Sequence, residues 1–203
     1  MRRTLSIVAI LCASFVFSWL MVLAVAHSAE AQEAYVGIKG GCSLPLARSN
    51  NDEIEFGSEC GAFGALSYGT RVKTFDNLEL YAEAEVLAAW NQLHGKNGQG
   101  ELSADGDDWF ETALMFNGVV KHKILDPVSF YALAGVGLAR VTGFDDNMAT
   151  LALQGEAGLS IEATETINVL TGYRYHQTIN VELDNQKGAP NFHMIFIGAQ
   201  FKF

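Results

Sequence analysis

The sequence predicts an all-β fold: eight antiparallel strands closed in up-and-down order into a transmembrane β-barrel, behind a cleaved signal peptide. Three features carry this expectation. Segments of about ten residues alternate apolar and polar side chains with a period of two, as strands between lipid and a polar interior must. The connections between them alternate roughly long and short, starting with a long one, as in a barrel with both termini in the periplasm. Arg2 and Arg3 precede an apolar run from Leu5 to Ala26 and then Ala29-Glu30-Ala31, which reads as a signal peptide cut after Ala31. An uncleaved anchor is the rival reading, because the run is about long enough to span a bilayer. The expected division is therefore 1–31 signal and 32–203 barrel.

Taken in order, Ala34 to Gly41 sets Val36 and Ile38 against Tyr35, Gly37 and Lys39. A polar stretch from Cys42 to Glu59 follows, carrying Asp52, Glu53, Glu55 and Glu59. Gly61 to Gly69 is a glycine-rich second strand whose apolar face cannot be read, and a short turn is expected around Lys73 to Asn77. Leu78 to Asn91 alternates most clearly, with Leu80, Ala82, Ala84, Val86, Ala88 and Trp90 outward and Glu79, Tyr81, Glu83, Glu85 and Asn91 inward. A second polar loop, Gln92 to Asp108, carries Glu101, Asp105, Asp107 and Asp108. Trp109 to Lys121 turns Phe110, Leu114, Phe116 and Val120 outward and Glu111, Met115, Asn117 and Lys121 inward.

Val128 to Val141 sets Phe130, Ala132, Ala134, Val136 and Leu138 against Tyr131, Gly135 and Gly137, and a compact loop is expected from Gly143 to Met148, with Asp145 and Asp146. Leu151 to Ile161 opposes Leu153, Ala157, Leu159 and Ile161 to Gln154, Glu156, Gly158 and Ser160. A turn at Glu162 to Glu165 leads to Ile167 through Asn180, where Val169, Tyr173 and Tyr175 oppose Asn168, Arg174 and His176. After a polar loop from Glu182 to Pro190, the closing strand from Asn191 puts Ile195, Ile197, Ala199, Phe201 and Phe203 on one face and Gly198, Gln200 and Lys202 on the other.

The chain has 203 residues, 20 glycines, 3 prolines and a formal net charge of -10. The negative balance disfavours nucleic acid, whose phosphates it would repel, and suggests acidic exposed loops. Cys42 and Cys60 bracket the first of these and are candidates for a disulfide in an oxidising envelope, with two free thiols as the alternative. Eight strands enclose a space that side chains fill. Charges sealed there must pair, so a plug of Lys39, Glu79, Glu83, Glu85, Glu111, Asn117, Lys121, Glu156 and Arg174 is expected, with a narrow cation-preferring path as the alternative.

The signal, the alternating strands, the Gly172-Tyr173-Arg174-Tyr175 run and the aromatic carboxyl end resemble the small eight-stranded outer-membrane β-barrel family, that is, OmpA/OmpX-like surface proteins and their porin-family relatives. Asn117, followed by a turn and the Tyr131 to Gly137 strand, is similar to a recurring middle segment of that family. His193 departs from the pattern, lying on the lipid-facing parity. The resemblance implies a monomeric, non-catalytic surface protein of the bacterial outer membrane. It would sit among outer-membrane lipid and lipopolysaccharide and contribute to envelope integrity. Phe201 and Phe203 would be read by the outer-membrane assembly machinery, and acidic loops would be presented outside, to a host surface ligand among other partners.

Members of this scaffold that act on lipid A acyl chains make catalysis the alternative. It needs a serine beside a histidine with an orienting acid. His94 is expected in a loop and His122 in a periplasmic turn, while His176 and His193 are placed near the outer rim, within reach of each other across the last strand pair. No serine accompanies either, so no catalytic residue is assigned. Asp105, Asp107, Asp108, Asp145 and Asp146 offer hard oxygen ligands but lack the spacing of a calcium-binding loop, so neither metal nor cofactor is expected.

Overall fold

A computed structural model describes residues 33–46, 60–93, 107–143, 146–179, 181–183, 186–188 and 191–203. The signal-peptide reading lies outside the described residues, as do Asp52, Glu53, Glu55, Glu59, His94, Glu101, Asp105 and Asp145. The strands are β1 (Ala34–Leu46), β2 (Gly61–Phe75), β3 (Leu78–Leu93), β4 (Asp107–Leu125), β5 (Val128–Gly143), β6 (Asp146–Thr164), β7 (Ile167–Thr178), β8 (Val181–Leu183), β9 (Gln186–Gly188) and β10 (Asn191–Lys202). Eight of them close in the order β1-β10-β7-β6-β5-β4-β3-β2, and β8 and β9 form a separate two-stranded sheet. All the barrel pairings are antiparallel between chain neighbours except that β10 skips back past β8 and β9 to β7 and forward to β1.

Closure is completed at the chain ends. Ala34 N–H donates to the Phe203 carbonyl at 3.1 Å and Phe203 N–H to the Ala34 carbonyl at 2.9 Å, so the first and last barrel strands leave no open edge at this end. The register follows the alternation of side chains. Val36, Ile38, Leu66, Val86, Val136, Leu153, Ile195 and Ile197 all stand exposed on the outside, and among the described residues no second layer of protein covers them. Such a surface suits hydrocarbon.

The strands run further than the alternation alone suggested. The turn expected over Lys73 to Asn77 contracts to Asp76 and Asn77, because β2 stays paired to Phe75 through an irregularity between Arg71 and Lys73. Asp76 takes φ 43°, a left-handed conformation that aspartate tolerates and that the primed two-residue hairpin turns use. His122 is not in a turn: it lies within β4, paired with Leu78 and Phe130. Asp107, Asp108, Gly143, Asp146 and Met148, expected in loops, are paired in strands, as are Glu162 and Thr164 beyond Ile161. Strand seven, by contrast, ends at Thr178. The polar stretch from Glu182 to Pro190 includes the β8–β9 hairpin. Backbone pairing is indifferent to side-chain polarity, so it continues past the point where the apolar row stops.

The second strand, illegible in the sequence, turns Phe63, Ala65 and Ser67 inward and Ala62, Gly64 and Leu66 outward. Its inner and outer rows are both apolar or small, which is why periodicity was silent. Inward glycines make room for the largest interior groups. A Cβ on Gly135 would meet Asn117 Oδ1 at 1.9 Å, and one on Gly69 would meet the Tyr35 ring at 2.3 Å.

Candidate functional site

The interior is organised about Arg174 on β7, which is fully buried. Its guanidinium forks onto Glu85 of β3, Nη1 donating to Oε1 at 2.9 Å and Nη2 to Oε2 at 2.7 Å, while Nε donates to Glu156 Oε2 of β6 at 2.7 Å. Lys39 of β1 completes the cluster, 2.7 Å from Glu156 Oε1 and 3.7 Å from Glu85 Oε2. Planar bidentate pairing is what arginine does best, and here it ties together strands far apart in the chain.

Neutral donors add to these carboxylates and occupy both oxygens of a third, Glu83. Tyr131 O–H donates to Glu156 Oε1 at 2.8 Å, and Gln154 Nε2 donates to Glu85 Oε1 at 2.9 Å and to Asn117 Oδ1 at 2.8 Å. Asn117 Nδ2 then donates to Glu83 Oε1 at 2.9 Å, whose Oε2 accepts from Tyr35 O–H at 2.7 Å. Phe63 and Phe196 contribute the two strands not yet named, each with its ring facing Arg174, at 5.7 Å and 6.0 Å. Every barrel strand therefore touches one connected cluster, with Lys39 and Arg174 as its cations and Glu83, Glu85 and Glu156 as its carboxyls.

Further towards the long-loop end lies a second, poorer tier. Glu111 Oε1 and His176 Nε2 are 2.6 Å apart with neither residue exposed. Beside them, Glu111 Oε2, His176 Nδ1, both amide atoms of Asn91, Trp109 Nε1 and Thr178 Oγ1 are buried without a hydrogen-bond partner. Glu111, His176 and Asn91 are 0% exposed, so no water-sized space touches them. Beside Met115, whose parity is inward, the interior also holds Leu87, Val141, Phe192 and Met194, apolar side chains on a face that the sequence assigns to a polar plug.

At the short-turn end the interior opens. Arg71 Nη1 is 2.7 Å from Glu33 and 3.6 Å from Glu79, Tyr81 O–H donates to Glu79 at 2.9 Å, and Lys202 Nζ donates to Glu162 at 3.0 Å. Glu33, Glu79, Glu162 and Lys202, with Lys121, line a polar cavity of about 170 Å³. Glu79 and Lys121, read as members of the sealed plug, are only half-buried and belong to this mouth instead.

Lys39, Glu83, Glu85, Asn117, Glu156 and Arg174 are brought together, and Glu111 pairs with a histidine not assigned to the network beforehand. Gln154, Tyr35 and Tyr131 were missed as network members, although their inward parity was visible. Cys42 and Cys60 are joined in a disulfide with Cα atoms 5.8 Å apart. Phe201 and Phe203 stand exposed on the outer face of the closing strand. His176 and His193 do not approach each other as expected: the register pairs His176 with Phe192 and His193 with Tyr175, so one imidazole points inward and the other outward. His193 Nδ1 instead shares a hydrogen bond with Tyr173 O–H. Among the described residues no group of three or more His, Cys, Asp or Glu is arranged to hold a metal.

The chain matches the model of an outer membrane protein beta-barrel domain over residues 15–203. Neisserial surface protein A is similar in structure, with TM-score 0.59 and 18% identity over 84% of this chain and 97% of that one. Ail, the attachment invasion locus protein of Yersinia pestis, aligns at TM-score 0.47 and 18% identity over 86% of this chain and 100% of that one. The outer membrane enzyme PagL aligns at TM-score 0.47 and 14% identity over 81% and 97%. No curated protein sequence matches.

Proposed function

Because the chain belongs to the outer membrane protein β-barrel family, we propose that it is a non-catalytic surface protein of the bacterial outer membrane, a monomer that contributes to envelope integrity and presents acidic loops outside. In this reading both termini face the periplasm. The short turns at Asp76-Asn77 and Asp126-Pro127 face it too, and the connections 47–59, 94–106 and 180–190 face outward. Lipid and lipopolysaccharide surround the wall, the assembly machinery reads the strand that ends in Phe201 and Phe203, and a host surface molecule is the partner proposed for the loops.

The observation that carries this reading is the cluster around Arg174, in which every barrel strand takes part and whose charged members are all buried. A wall held from inside in this way is a stiff mount for loops, and an inefficient pore. The histidines that a lipid A hydrolase reading would recruit point to opposite sides of the wall, and His176 is fully buried on Glu111.

Three measurements test the proposal. Lipid A from a deletion strain and its parent should show the same acyl pattern, and the purified protein in planar bilayers should show no sustained conductance. The deletion strain should be more sensitive to detergent and bile salts. An altered acyl pattern would establish the enzyme reading in its place, and unchanged sensitivity would remove the envelope role.

A further inference from the structure

Where β7 and β10 approach the long loops, the outside of the wall carries a built polar patch. Going up β10 the lipid-facing residues are Phe201, Ala199, Ile197 and Ile195, and then His193. From Phe201 to His193 is roughly 26 Å along a strand, so a tilted strand has crossed most of the apolar band by His193. Tyr173 O–H bonds His193 Nδ1, and the Tyr175 ring stands edge-on to the imidazole at 5.4 Å. Tyr175 O–H donates to Gln177 Oε1 at 3.1 Å.

These bonds fix what the patch offers to the membrane. With Tyr173 O–H donating to Nδ1, the neutral ring carries its hydrogen on Nε2, and the charged ring carries one there as well; in that tautomer His193 offers an N–H outward in either state. Gln177, its oxygen taken, is left with its amide hydrogens. The residues paired across from this face are apolar: Leu44 against His193, Leu153 against Gln177 and Gly155 against Tyr175. Asn191, opposite Gln177, keeps its Oδ1 buried. In a chain of formal charge -10, a patch at the lipid boundary that offers N–H donors and, among the described residues, has no carboxylate bonded to it is complementary to an anion.

We propose that Tyr173, His193, Tyr175 and Gln177 form a seat for the phosphate of a lipid headgroup, with His193 Nε2–H and the Gln177 amide donating to phosphate oxygens while the tyrosine rings lie against the first acyl carbons. The inference deepens the reading of the chain as an outer-membrane barrel. With the long loops outside, the lipid is the phosphorylated glycolipid of the outer leaflet.

The test uses the full folded protein in neutral detergent, offered an equal mixture of phosphorylated and enzymatically dephosphorylated lipid A, with retained lipid read by native mass spectrometry. A charge-assisted hydrogen bond supports a preference of about tenfold for the phosphorylated form. His193→Phe keeps the aromatic body and should bring the ratio close to one, Tyr173→Phe should lower it in part, and Leu138→Val, outward on β5 away from the patch, should leave it alone. Slower migration after boiling than before confirms that each variant is a closed barrel. Equal retention of the two lipids by the parent protein, or an undiminished preference in folded His193→Phe, overturns the proposal. Protease shaving of the 47–59 loop on intact cells reads orientation separately, so a reversed barrel would be recognised without affecting the ratio.

Discussion

Replacing Arg174 with methionine should be the most damaging single change to the barrel's stability, and the structure sets its size. The guanidinium supplies three hydrogen bonds of 2.9 Å or less to Glu85 and Glu156, and neither carboxylate is exposed. Without it, one ammonium, Lys39, must serve both. Removing one partner of a buried ion cluster costs about 3–5 kcal/mol, because the remaining charge stays buried. Arg174→Met keeps much of the volume, so the loss should be electrostatic rather than a cavity effect. Unfolding in urea, with the barrel in lipid vesicles and the fluorescence of Trp90 and Trp109 as signal, measures it. The sharper test is a double-mutant cycle with Glu85→Gln. If the fork is the interaction, Arg174→Met with Glu85→Gln should cost about 2 kcal/mol less than the sum of the two single changes. Additivity within about 0.5 kcal/mol would refute the reasoning.

Other perturbations separate the parts of the interior. Glu83 is hydrogen-bonded only by neutral donors, so Glu83→Gln, whose amide can serve Tyr35 and Asn117 with one rotated hydroxyl, should cost about 1 kcal/mol and clearly less than Glu85→Gln in the same urea titration. Gly135→Ala puts a methyl where Asn117 Oδ1 lies and should destabilise by about 1–3 kcal/mol, with Gly135→Ala/Asn117→Ala recovering part of it. Trp109→Phe removes a buried N–H that has no partner, and its unfolding free energy should stay level or rise by up to about 1 kcal/mol. Reducing Cys42–Cys60, which lie 18 positions apart, should lower the urea midpoint by the equivalent of up to about 3 kcal/mol, and Cys60→Ser should do the same without reductant.

The wall of this barrel was legible because a membrane strand must separate two solvents residue by residue. Where the rows differ in polarity, as in β3 with Glu79, Glu83 and Glu85 against Leu80, Ala84 and Val86, parity alone assigned the inside. It failed in β2, where Phe63 and Leu66 are both apolar and only the neighbours' register decides which faces in. Strand ends were hidden for a different reason: His122 and Asp146 are paired by their backbones, and a side chain beyond the apolar band has no solvent boundary to report. Inward parity named the charged members of the plug but not how they connect. Arg174 reaching Glu85 across 89 positions is a product of barrel diameter and side-chain length, and neither is written in the local pattern. The wrong meeting of His176 with His193 came from treating a strand pair as if register placed both on one face.

That separation in sequence suggests what the plug adds beyond stiffness. Lys39 and Glu156 are 117 positions apart and can meet only when β1 has closed on β10. In a sheet still open, or in one slipped by a single residue, each inward charge of the displaced strand would face hydrocarbon, since a one-residue shift exchanges the two faces. An unpaired charge at membrane depth costs several kcal/mol, far more than the few tenths at stake in exchanging one outward Leu for Val. The ladder hydrogen bonds tolerate a two-residue slip, which preserves facing, but the fork does not: it would move Arg174 roughly 7 Å along its strand, beyond reach of Glu85. The outward row thus selects the membrane, and the inward cluster selects one register and one strand count from those the apolar pattern would accept.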